Sequence, residues 1–460
     1  MTQTLFSSLP LPKALLSNIE SLGYSQMTPI QQQSLPHALK EKDLIAKAKT
    51  GSGKTAAFAI TLLTKLQVRD FGCQALVLCP TRELAAQVAT EVRKLARYRQ
   101  NIKVVTLCGG QPIGPQIGSL AHGGHVVIGT PGRIQDHLRK QTLSLEKVNT
   151  VVLDEADRML DMGFRDSIET ILGYTPKKRQ TLLFSATYPK EIKALSKDIQ
   201  NNPIEVTVES THSHSQIQQL FYCAENKSKP ETLLKLLNHY QPESTVIFCN
   251  TKQVCKEVGS WLYENGHRAL VLHGDLEQKE RDQILVRFAN NSSTLLVATD
   301  VAARGLDIDD LAAVINYDLS RDPEVHVHRI GRTGRAGKEG LALSLHTSRE
   351  QYKLDEISDY MQSELSFADT RQLRDKVSAP PKAPMVTLSI DGGKKNKVRP
   401  GDILGALTGE AGIPGNQVGK IAIFDFVSYV AIKRDSARQA LNQLERGKIK
   451  GRKFKVRRLG

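Results

Sequence analysis

The stretch DLIAKAKTGSGKTAAFAITLLTKL, residues 43–66, decides the fold of the N-terminal part of this chain. Its apolar beginning predicts a buried strand at 43–48, and the alanine- and leucine-rich run after the glycines predicts a helix. Gly51 and Gly53 lie between the two, where backbone N–H groups at the start of a helix can close around phosphate oxygens. The order of strand, glycine-rich loop and helix therefore indicates an α/β domain with a phosphate-binding loop.

Three side chains near this loop define what it is expected to bind. Lys54 is expected to reach the β- and γ-phosphates of a bound nucleotide, and Thr55 to be a ligand of Mg²⁺. Ala48 stands where the consensus of such loops has its first glycine, so the motif is imperfect. A glycine-rich turn with a chance Gly-Lys-Thr is the alternative, but the flanking strand and helix favour the phosphate-binding interpretation.

Acidic residues follow a second apolar strand. The strand TVVL, residues 150–153, leads directly into Asp154, Glu155, Ala156 and Asp157. In enzymes with a phosphate-binding loop, a carboxylate at this position holds Mg²⁺ and a neighbouring one positions or deprotonates the attacking water. Such residues alone usually mark a solvated helix start, but downstream of this loop they predict a nucleotide-hydrolysing site.

A third element is the arginine-rich segment HRIGRTGRAG, residues 328–337. Its Arg329, Arg332 and Arg335 belong to a later part of the chain than the phosphate-binding loop. Arginines supplied by a separate domain can stabilise a transferring γ-phosphoryl group only after the domains close. By itself the segment would be interpreted as a basic loop on a solvated surface.

The remaining pattern predicts two α/β domains followed by a small module. Apolar strand candidates alternate with amphipathic helices, as in βαβ units with parallel sheets. A polar stretch at 209–216 and an Ala/Pro-rich stretch near 380 interrupt this alternation. We therefore predict a first domain at 1–208, a second at 209–368, a linker at 369–384 and a small α+β domain of βαββαβ order at 385–460, resembling an RNA recognition motif (RRM).

Charge and composition restrict the class of protein. The chain carries a net charge of +15, and residues 380–460 hold 17 Lys+Arg against 6 Asp+Glu, which indicates a polyanionic partner for the C-terminal module. No membrane-spanning run or signal peptide is evident, so we predict a cytoplasmic protein without a membrane partner. The six cysteines form no CxxC pair, which favours reduced thiols over a zinc site or disulfides.

Ten motifs occur in a fixed order over the first 365 residues or so. They are TPIQ (28–31), AKTGSGKT (48–55), PTRELA (80–85), GG (109–110), TPGR (130–133), DEAD (154–157), SAT (185–187), VIFCNT (246–251), ATDVAARGLDI (298–308) and HRIGRTGR (328–335). This series resembles that of the DEAD-box RNA helicases, and implies two tandem RecA-like domains and ATP-dependent RNA unwinding. A DNA-directed helicase is disfavoured by the first motif and the RRM-like tail.

The resemblance implies a role for individual residues of the ATP site. Asp154 would contact Mg²⁺, Glu155 would be the catalytic carboxylate, and Asp307 would contact the ribose. Arg332 and Arg335 would act as arginine fingers, with His328 linking the ATP site to RNA. Ser185 and Thr187 would couple hydrolysis to strand separation through Asp157. The ATP-binding set would comprise Phe6, Tyr24, Gln31, Ala48, Lys49, Thr50, Gly51, Ser52, Gly53, Lys54, Thr55, Asp307, Arg332 and Arg335.

The resemblance also implies an RNA-binding face made of loop glycines, hydroxyls and arginines, which contact the sugar-phosphate backbone and carry no base specificity. In the first domain these would be Pro80, Thr81, Arg82, Gly109, Gly110, Thr130, Gly132 and Arg133. In the second domain they would be Asn250, Gly274 and Thr299.

The tail, with IFDFVSYVAI at 423–432 and a basic end, resembles the C-terminal domain of the DbpA family of bacterial helicases. That family is directed to a hairpin of the large-subunit (23S) ribosomal RNA and acts in assembly of the large (50S) subunit. The first strand, MVTLSI, has no aromatic residue, so base stacking on the sheet is expected to be weak, and Phe424 and Phe426 are expected in the core. RNA contacts are expected instead at Lys448, Lys450, Arg452, Lys453, Lys455, Arg457 and Arg458.

Together these inferences predict an RNA-stimulated ATPase that opens short duplexes locally and is targeted to 23S rRNA and pre-50S particles, with no obligate protein partner evident. The alternatives are a general RNA-dependent ATPase or RNA clamp without a target, and an RNA-binding scaffold without catalysis. A solvated basic strand end is the alternative for the C-terminal lysines and arginines.

Overall fold

The strands of the first domain are short apolar runs that a sheet can bury on both faces. The computed structural model describes residues 4–48, 51–187, 190–208, 217–303, 311–334, 339–374, 381–409 and 412–459. It divides into two units, residues 1–211 and 212–460. Among the described residues, no helix has the length and apolar character needed to cross a membrane.

The first unit is a seven-stranded parallel sheet in the order β3-β4-β2-β5-β6-β1-β7, with a hydrophobic core on each face. Its strands are β1 (Leu44–Lys47), β2 (Ala75–Leu78), β3 (Val104–Leu107), β4 (Val126–Gly129), β5 (Thr150–Leu153), β6 (Gln180–Ser185) and β7 (Ile204–Thr207). Its helices are α1 (Lys13–Ser21), α2 (Pro29–Ala38), α3 (Lys54–Lys65), α4 (Arg82–Leu95), α5 (Gly114–Leu120), α6 (Pro131–Arg139), α7 (Ala156–Asp161), α8 (Arg165–Gly173) and α9 (Lys190–Ile199).

The second unit begins with another seven-stranded parallel sheet, in the order β10-β11-β9-β12-β13-β8-β14. Its strands are β8 (Ile217–Cys223), β9 (Thr245–Cys249), β10 (Ala269–Leu272), β11 (Leu295–Thr299), β12 (Ala313–Asn316), β13 (Gly340–His346) and β14 (Phe367–Ala368). Its helices are α10 (Lys229–Tyr240), α11 (Lys252–Glu264), α12 (Gln278–Ala289), α13 (Asp300–Ala303), α14 (Pro323–Ile330) and α15 (Gln351–Met361).

The same unit ends in a four-stranded antiparallel sheet in the order β16-β17-β15-β18. The elements are β15 (Met385–Ile390), α16 (Pro400–Thr408), β16 (Val418–Ile423), β17 (Ser428–Lys433), α17 (Ala437–Arg446) and β18 (Val456–Arg458). We call this part the C-terminal domain. Its chain order is the predicted βαββαβ, and both helices pack on one face of the sheet, where the core includes Val386, Leu388 and Ile432.

The predicted fold class, two parallel-sheet α/β domains with a small α+β domain, is confirmed. The strands that prediction missed are β7 and β14, each at the edge of its sheet. The β7 sequence IEVT exposes Glu205 and Thr207, so it lacks the continuous apolar run that marks a strand buried on both faces. Strand β14 has only two residues, too few for any periodic pattern.

A buried histidine lies under the second sheet. His326 of α14 has no exposed surface, stacks on Phe221 of β8 with ring centroids 5.7 Å apart, and has no hydrogen-bond partner for either ring nitrogen within the described part of the chain. Burial, together with the smaller effect of the nearby positive charge of Arg329, lowers the pKa of His326 to about 3. The imidazole is therefore neutral in the folded protein at any pH near neutrality.

Replacing His326 with phenylalanine is expected to remove part of the acid sensitivity of the second unit. The unfolded chain takes up this proton below a pKa of about 6.5, so the contribution of His326 to stability is lost as pH falls from there toward 3. Between pH 7 and pH 5 the wild-type protein should lose about 2 kcal/mol more than His326→Phe. Unfolding of both proteins at the two pH values measures this difference, with exposed His122→Phe as the control; equal pH dependence in all three would contradict it.

Candidate functional site

The phosphate-binding loop lies at the carboxyl end of β1 and leads into α3. Gly51 and Gly53 have φ values of +82° and +94°, a backbone region that glycine adopts without strain. Lys54, the first residue of α3, is only 6% exposed, and its Nζ donates to the carbonyl of Ala48 at 2.9 Å. The hydroxyl oxygen of Ser52 is buried without a hydrogen-bond partner among the described atoms, and Thr55 is half-buried.

Gln31 ties the start of α2 to this loop. Its Nε2 donates to the Gly53 carbonyl at 3.0 Å, and its Oε1 accepts from the backbone N–H of Thr28 at 2.9 Å. A Cβ on Gly53 would lie 2.5 Å from Gln31 Nε2, so any larger residue would displace the amide. Phe6 is buried in the adjoining core, and the Tyr24 hydroxyl donates to Glu91 of α4.

The carboxylates of the DEAD sequence follow β5. Asp154 and Glu155 are almost completely buried, and Glu155 adopts the left-handed conformation with φ of +52°. Burial raises the pKa of Asp154 to about 7, with the positive charge of Lys54 opposing that rise and the charge of Glu155 adding to it. The loop and the carboxylates are therefore electrostatically coupled, because β1 and β5 both pair with β6.

Asp157 joins α7 to the end of β6. Its Oδ2 accepts from the backbone N–H of Ala186 at 3.2 Å, and from the N–H and hydroxyl of Thr187, both at 3.0 Å. The hydroxyl of Ser185 is buried without a hydrogen-bond partner among the described atoms. The expected contact of Ser185 with Asp157 is thus made by the Ala186 backbone, because the chain turns toward the carboxylate only after β6 ends at Ser185.

The residues expected to hold RNA in the first domain lie after β2, β3 and β4, on the other half of the same sheet edge. The guanidinium of Arg82 covers the glycine loop: a Cβ on Gly110, where φ is +72°, would lie 1.4 Å from Arg82 Nη1. The nearest side-chain atom to a Cβ on Gly109 is also Arg82 Nη2, at 3.5 Å. The PTR and GG motifs are therefore one structural unit.

The other residues of this group are fixed by their helices. Thr81 is the N-cap of α4 and accepts from Leu84 N at 3.2 Å, and Thr130 is the N-cap residue of α6. Arg133 donates to the Gln111 carbonyl at 2.9 Å. Pro80 is buried, whereas Gly132 is exposed with open space around its Cα.

In the second sheet domain, Arg329 is buried and bonded to other residues of the same domain. It is 2% exposed and makes a two-pronged ion pair with Asp300, with both N–O distances 2.7 Å. It also donates to the Asp318 carbonyl at 2.7 Å and to the Asn250 side chain at 2.9 Å. Of the three arginines in the HRIGRTGRAG segment, Arg329 is thus held inside the domain and cannot reach out to a phosphate.

The sequence analysis missed Asp300, Asn316 and Asp318, which surround Arg329. A signal existed, since Asp300 directly follows the apolar strand β11 as Asp154 follows β5. Asn250 was expected to bind RNA, but both its side-chain atoms are engaged internally, with Arg329 and with the Leu319 carbonyl at 2.8 Å. These bonds hold the amide in place but use only one of its two N–H donors and one of the two acceptor positions of its oxygen.

The remaining predicted residues of this domain are less constrained. Gly274 has open space around its Cα, and Thr299 lies at the end of β11, where its hydroxyl accepts from Ala302 N at 3.4 Å. His328 and Arg332 are half-buried near the end of α14, with His328 Nε2 4.0 Å from Glu324. Four predicted residues lie outside the described ones: Lys49, Thr50, Asp307 and Arg335.

In the C-terminal domain, all seven basic residues expected to bind RNA are exposed. Arg457 pairs with Asp391 at 2.8 Å, and Lys450 donates to the Lys397 carbonyl at 3.1 Å. The expectation that Phe426 belongs to the core is wrong, because it is 71% exposed at the turn between β16 and β17. Phe424 is partly buried against Tyr429.

The outer face of the C-terminal sheet is covered over its middle strands, β15 and β17, whereas Arg457 of β18 is exposed. Thr387 and Tyr429, on the face opposite the helices, are 0% and 2% exposed. The covering segment comes from the end of α12: Asn290 Nδ2 donates to Thr387 Oγ1 at 3.2 Å, and Met385 N donates to the Asn291 carbonyl at 3.3 Å. The sheet face where an ordinary RRM stacks bases is therefore used for packing within the chain.

Comparison with known proteins agrees with this arrangement of motifs. Residues 28–195 match the DEAD/DEAH box helicase family, 228–337 the helicase conserved C-terminal domain, and 387–458 the DbpA RNA binding domain. The chain is 53% identical to ATP-dependent RNA helicase DbpA of Escherichia coli, over 99% of this chain and 100% of that protein. It is 43% identical to DEAD-box ATP-dependent RNA helicase CshA of Bacillus cereus, over 82% of this chain and 70% of that one.

A solved structure resembles the chain as well. It is Saccharomyces cerevisiae Dbp5 bound to RNA and ADP BeF3, with a TM-score of 0.73 and 32% identity, covering 80% of this chain and 96% of that one. The ordered motifs at the sheet edges, the helicase families they match and the near full-length identity to a helicase with the same C-terminal domain lead to one conclusion: this chain belongs to the DEAD-box ATP-dependent RNA helicases, in their DbpA-like branch.

Proposed function

We propose that this helicase acts in the cytoplasm on a hairpin region of 23S ribosomal RNA during assembly of the large ribosomal subunit. ATP hydrolysis is coupled to local opening of short duplexes, and the C-terminal domain directs the activity to its target. The observation that carries this proposal is the DbpA RNA binding domain at 387–458, attached to a complete set of helicase motifs. The domain boundaries proposed are 208/209, 368/369 and 384/385.

In the proposed ATP site, Gln31 recognises the adenine together with Phe6 and Tyr24. The hydrogen bond from Gln31 to the Gly53 carbonyl means that base recognition is mechanically linked to the phosphate-binding loop. Lys54 neutralises the phosphates, and Glu155 accepts the proton of the attacking water. Beyond this domain, Asp307, Arg332 and Arg335 are proposed to complete the site, with His328 relaying RNA binding to it.

Mg²⁺ fits the residues present. Asp154 is a buried carboxylate whose pKa is raised mainly by burial, and a divalent cation beside it would stabilise its charged form. Among the described residues no cluster of three or more His, Cys, Asp or Glu side chains is arranged to hold a metal. Mg²⁺ typically takes only one or two carboxylates together with nucleotide phosphates. Asp154 and the hydroxyl of Thr55 would hold it, and it would stabilise the charge that develops on the phosphates.

Coupling is proposed to run through Asp157. One of its carboxylate oxygens accepts three hydrogen bonds from the turn after β6. The donors are the backbone N–H of Ala186 and the backbone N–H and hydroxyl of Thr187. A shift of the DEAD carboxylates would therefore move this turn, because charge-assisted hydrogen bonds resist separation. The proposal assigns Thr187 the direct contact and Ser185 a place in the buried end of β6.

RNA binding by the first domain is proposed to be independent of sequence. The PTR, GG and TPGR motifs offer backbone groups, hydroxyls and the guanidinium groups of Arg82 and Arg133, which suit phosphate and 2′-hydroxyl contacts. Target choice then belongs to the C-terminal domain, whose basic residues are exposed. In the alternative, a general RNA-dependent ATPase, the first domain still binds RNA independently of sequence, but the C-terminal domain does not select a target.

Glu155→Gln is expected to abolish catalysis without preventing ATP binding. The amide has the shape of the carboxylate but cannot accept the proton of the attacking water, so kcat should fall by about 100-fold or more. Steady-state ATPase rates with saturating RNA, and ATP affinity from a fluorescent nucleotide, measure the two effects. Exposed Glu146→Gln is the matched control; normal hydrolysis by Glu155→Gln would refute the assigned role.

Gly110→Ala is expected to weaken RNA binding by the helicase core. The added Cβ would collide with the guanidinium of Arg82, and alanine is strained at φ of +72°. Loss of one charge-assisted contact should raise the RNA concentration for half-maximal ATPase stimulation about 10-fold. Gly118→Ala, where a Cβ meets open space, is the control. The role of this loop would be excluded if both variants respond to RNA as the wild type does.

Lys453→Gln/Lys455→Gln is expected to impair stimulation by the ribosomal target alone. These side chains are exposed in the basic end of the C-terminal domain, which is proposed to hold the ribosomal hairpin, whereas unrelated RNA would not be held by this basic end. The concentration of a large-subunit rRNA fragment for half-maximal ATPase stimulation should rise about 10-fold, with little change for unrelated RNA.

The control for this double variant is Arg438→Gln/Arg446→Gln, which removes two exposed positive charges from α17 of the same domain. If the wild-type protein responds equally to ribosomal and unrelated RNA, targeting is disproved and the general RNA-dependent ATPase is the better description.

A further inference from the structure

A cavity of about 480 Å³ lies where the second sheet domain meets the C-terminal domain. Its walls are formed by residues at the amino ends of β10 and β11 in the sheet domain, by the segment before β15, and by the C-terminal domain itself. The two domains are in contact beside it, through the bonds from Asn290 to Thr387 and from Met385 to Asn291. The cavity is therefore formed by the docking of the C-terminal sheet face.

The lining of this cavity is strongly basic. Positive side chains come from both domains and from the segment between them, and no aspartate or glutamate is among the described residues that line it. We call these side chains the junction cluster: Arg268, Arg287, Lys382, Arg434 and Arg458. Like charges gathered around one cavity repel one another, so the arrangement favours binding of an anion.

Within the junction cluster, Arg287 combines partial burial with an unpaired donor atom. It lies on α12, partly buried, and its Nε has no hydrogen-bond partner among the described atoms. Burial lowers the pKa of Arg287, and the neighbouring charge of Arg268 lowers it further. Arg434 differs, because its Nε donates to the Ala383 carbonyl and it serves partly to fix the linker. Arg287 thus has an unused Nε donor at a cavity whose described lining contains no carboxylate.

The lining also indicates which anion fits. Its described residues include no phenylalanine, tyrosine or tryptophan on which a base would stack, and burial lowers the pKa of the imidazole of His267. Guanidinium groups bind phosphate oxygens through paired N–H donors. A site with several guanidiniums and no stacking surface suits a phosphodiester backbone better than a free nucleotide.

We propose that the junction cluster binds the phosphate backbone of RNA, so that one strand spans the second sheet domain and the C-terminal domain. The proposal rests on the chain's action on RNA but not on the ribosomal target. Because the cavity requires docking of the C-terminal sheet, RNA bound there stabilises the docked arrangement by mass action. Contacts of this kind carry no base sequence, so target and non-target RNA gain equally from them.

The test compares the full-length wild-type protein with Arg268→Gln/Arg287→Gln. Both substitutions are on the sheet-domain side of the cavity, and neither side chain is part of an ion pair or side-chain hydrogen bond in the described part of the chain. Affinity for a labelled RNA is measured without nucleotide at several salt concentrations. We expect about 10-fold weaker binding of both ribosomal and unrelated RNA, and a salt dependence reduced by roughly one to two ions.

Two controls make the result specific. Lys227→Gln removes an exposed positive charge from the same domain away from the cavity and should leave RNA affinity unchanged. At saturating RNA, kcat for ATP hydrolysis should be the same in wild type and double variant, while the half-maximal RNA concentration rises. A lower kcat with unchanged half-maximal RNA concentration would overturn the proposal.

A titration with inorganic pyrophosphate distinguishes the source of the phosphate. If pyrophosphate raises the unfolding temperature of the wild type more than that of the double variant, while both bind RNA equally, the cavity takes small polyphosphates and the RNA assignment is wrong. If neither RNA nor pyrophosphate distinguishes the two proteins, the cavity is a solvated gap and the proposal fails. The wild type could show no preference for ribosomal RNA while the double variant still binds RNA about 10-fold more weakly. That result would refute the ribosomal targeting but not the role of the junction cluster.

Discussion

The parallel pairing of β1, β6 and β5 is the constraint on which the first domain depends. In the shared register Lys47 lies beside Ser185, and Leu153 lies beside Leu183 two positions earlier in β6. Three loops that are far apart in sequence therefore leave the same sheet edge side by side, as ligand sites do at the carboxyl ends of parallel strands. The strands themselves are buried on both faces, so the loops carry the polar chemistry while the sheet holds their origins fixed.

In the second sheet domain, the loops that follow the parallel strands are held together by a buried ion pair and its hydrogen bonds. Arg329 is deeply buried but is matched by both oxygens of Asp300, by Asn250 and by the Asp318 carbonyl. Removing one partner of such a buried pair typically costs about 3–5 kcal/mol, because the remaining charge stays uncompensated. This network ties the ends of β9 and β11 to α14, so the VIFCNT, ATD and HRIGR motifs form one rigid assembly even though Asn250 and Arg329 are 79 residues apart.

Much of the fold followed from the sequence because continuous apolar runs identify strands buried on both faces. Strand β15 was predicted at its observed bounds, while β7 and β14 were missed because one is half-exposed and the other very short. At the candidate site, the sequence identified the loops that follow the strands but not which of their atoms meet. Arg329 was grouped with the catalytic arginines because its partner Asp300 is 29 residues away, so the sequence does not show that Arg329 is buried. Phe426 was assigned to the core because a phenylalanine in an exposed turn and one in a buried strand are equally apolar.

The absence of aromatic residues from MVTLSI has a physical reason in the docked C-terminal domain. Thr387 and Ser389 are almost completely buried on that strand's outer face, where small polar side chains allow the end of α12 to approach and donate hydrogen bonds. Large rings at these positions would hold the two domains apart, because buried interfaces tolerate little added volume. The middle of the sheet face therefore serves docking, while the basic side chains at the end of the chain are exposed. An RRM-like fold in this helicase thus binds its partner domain with the surface that related modules offer to bases.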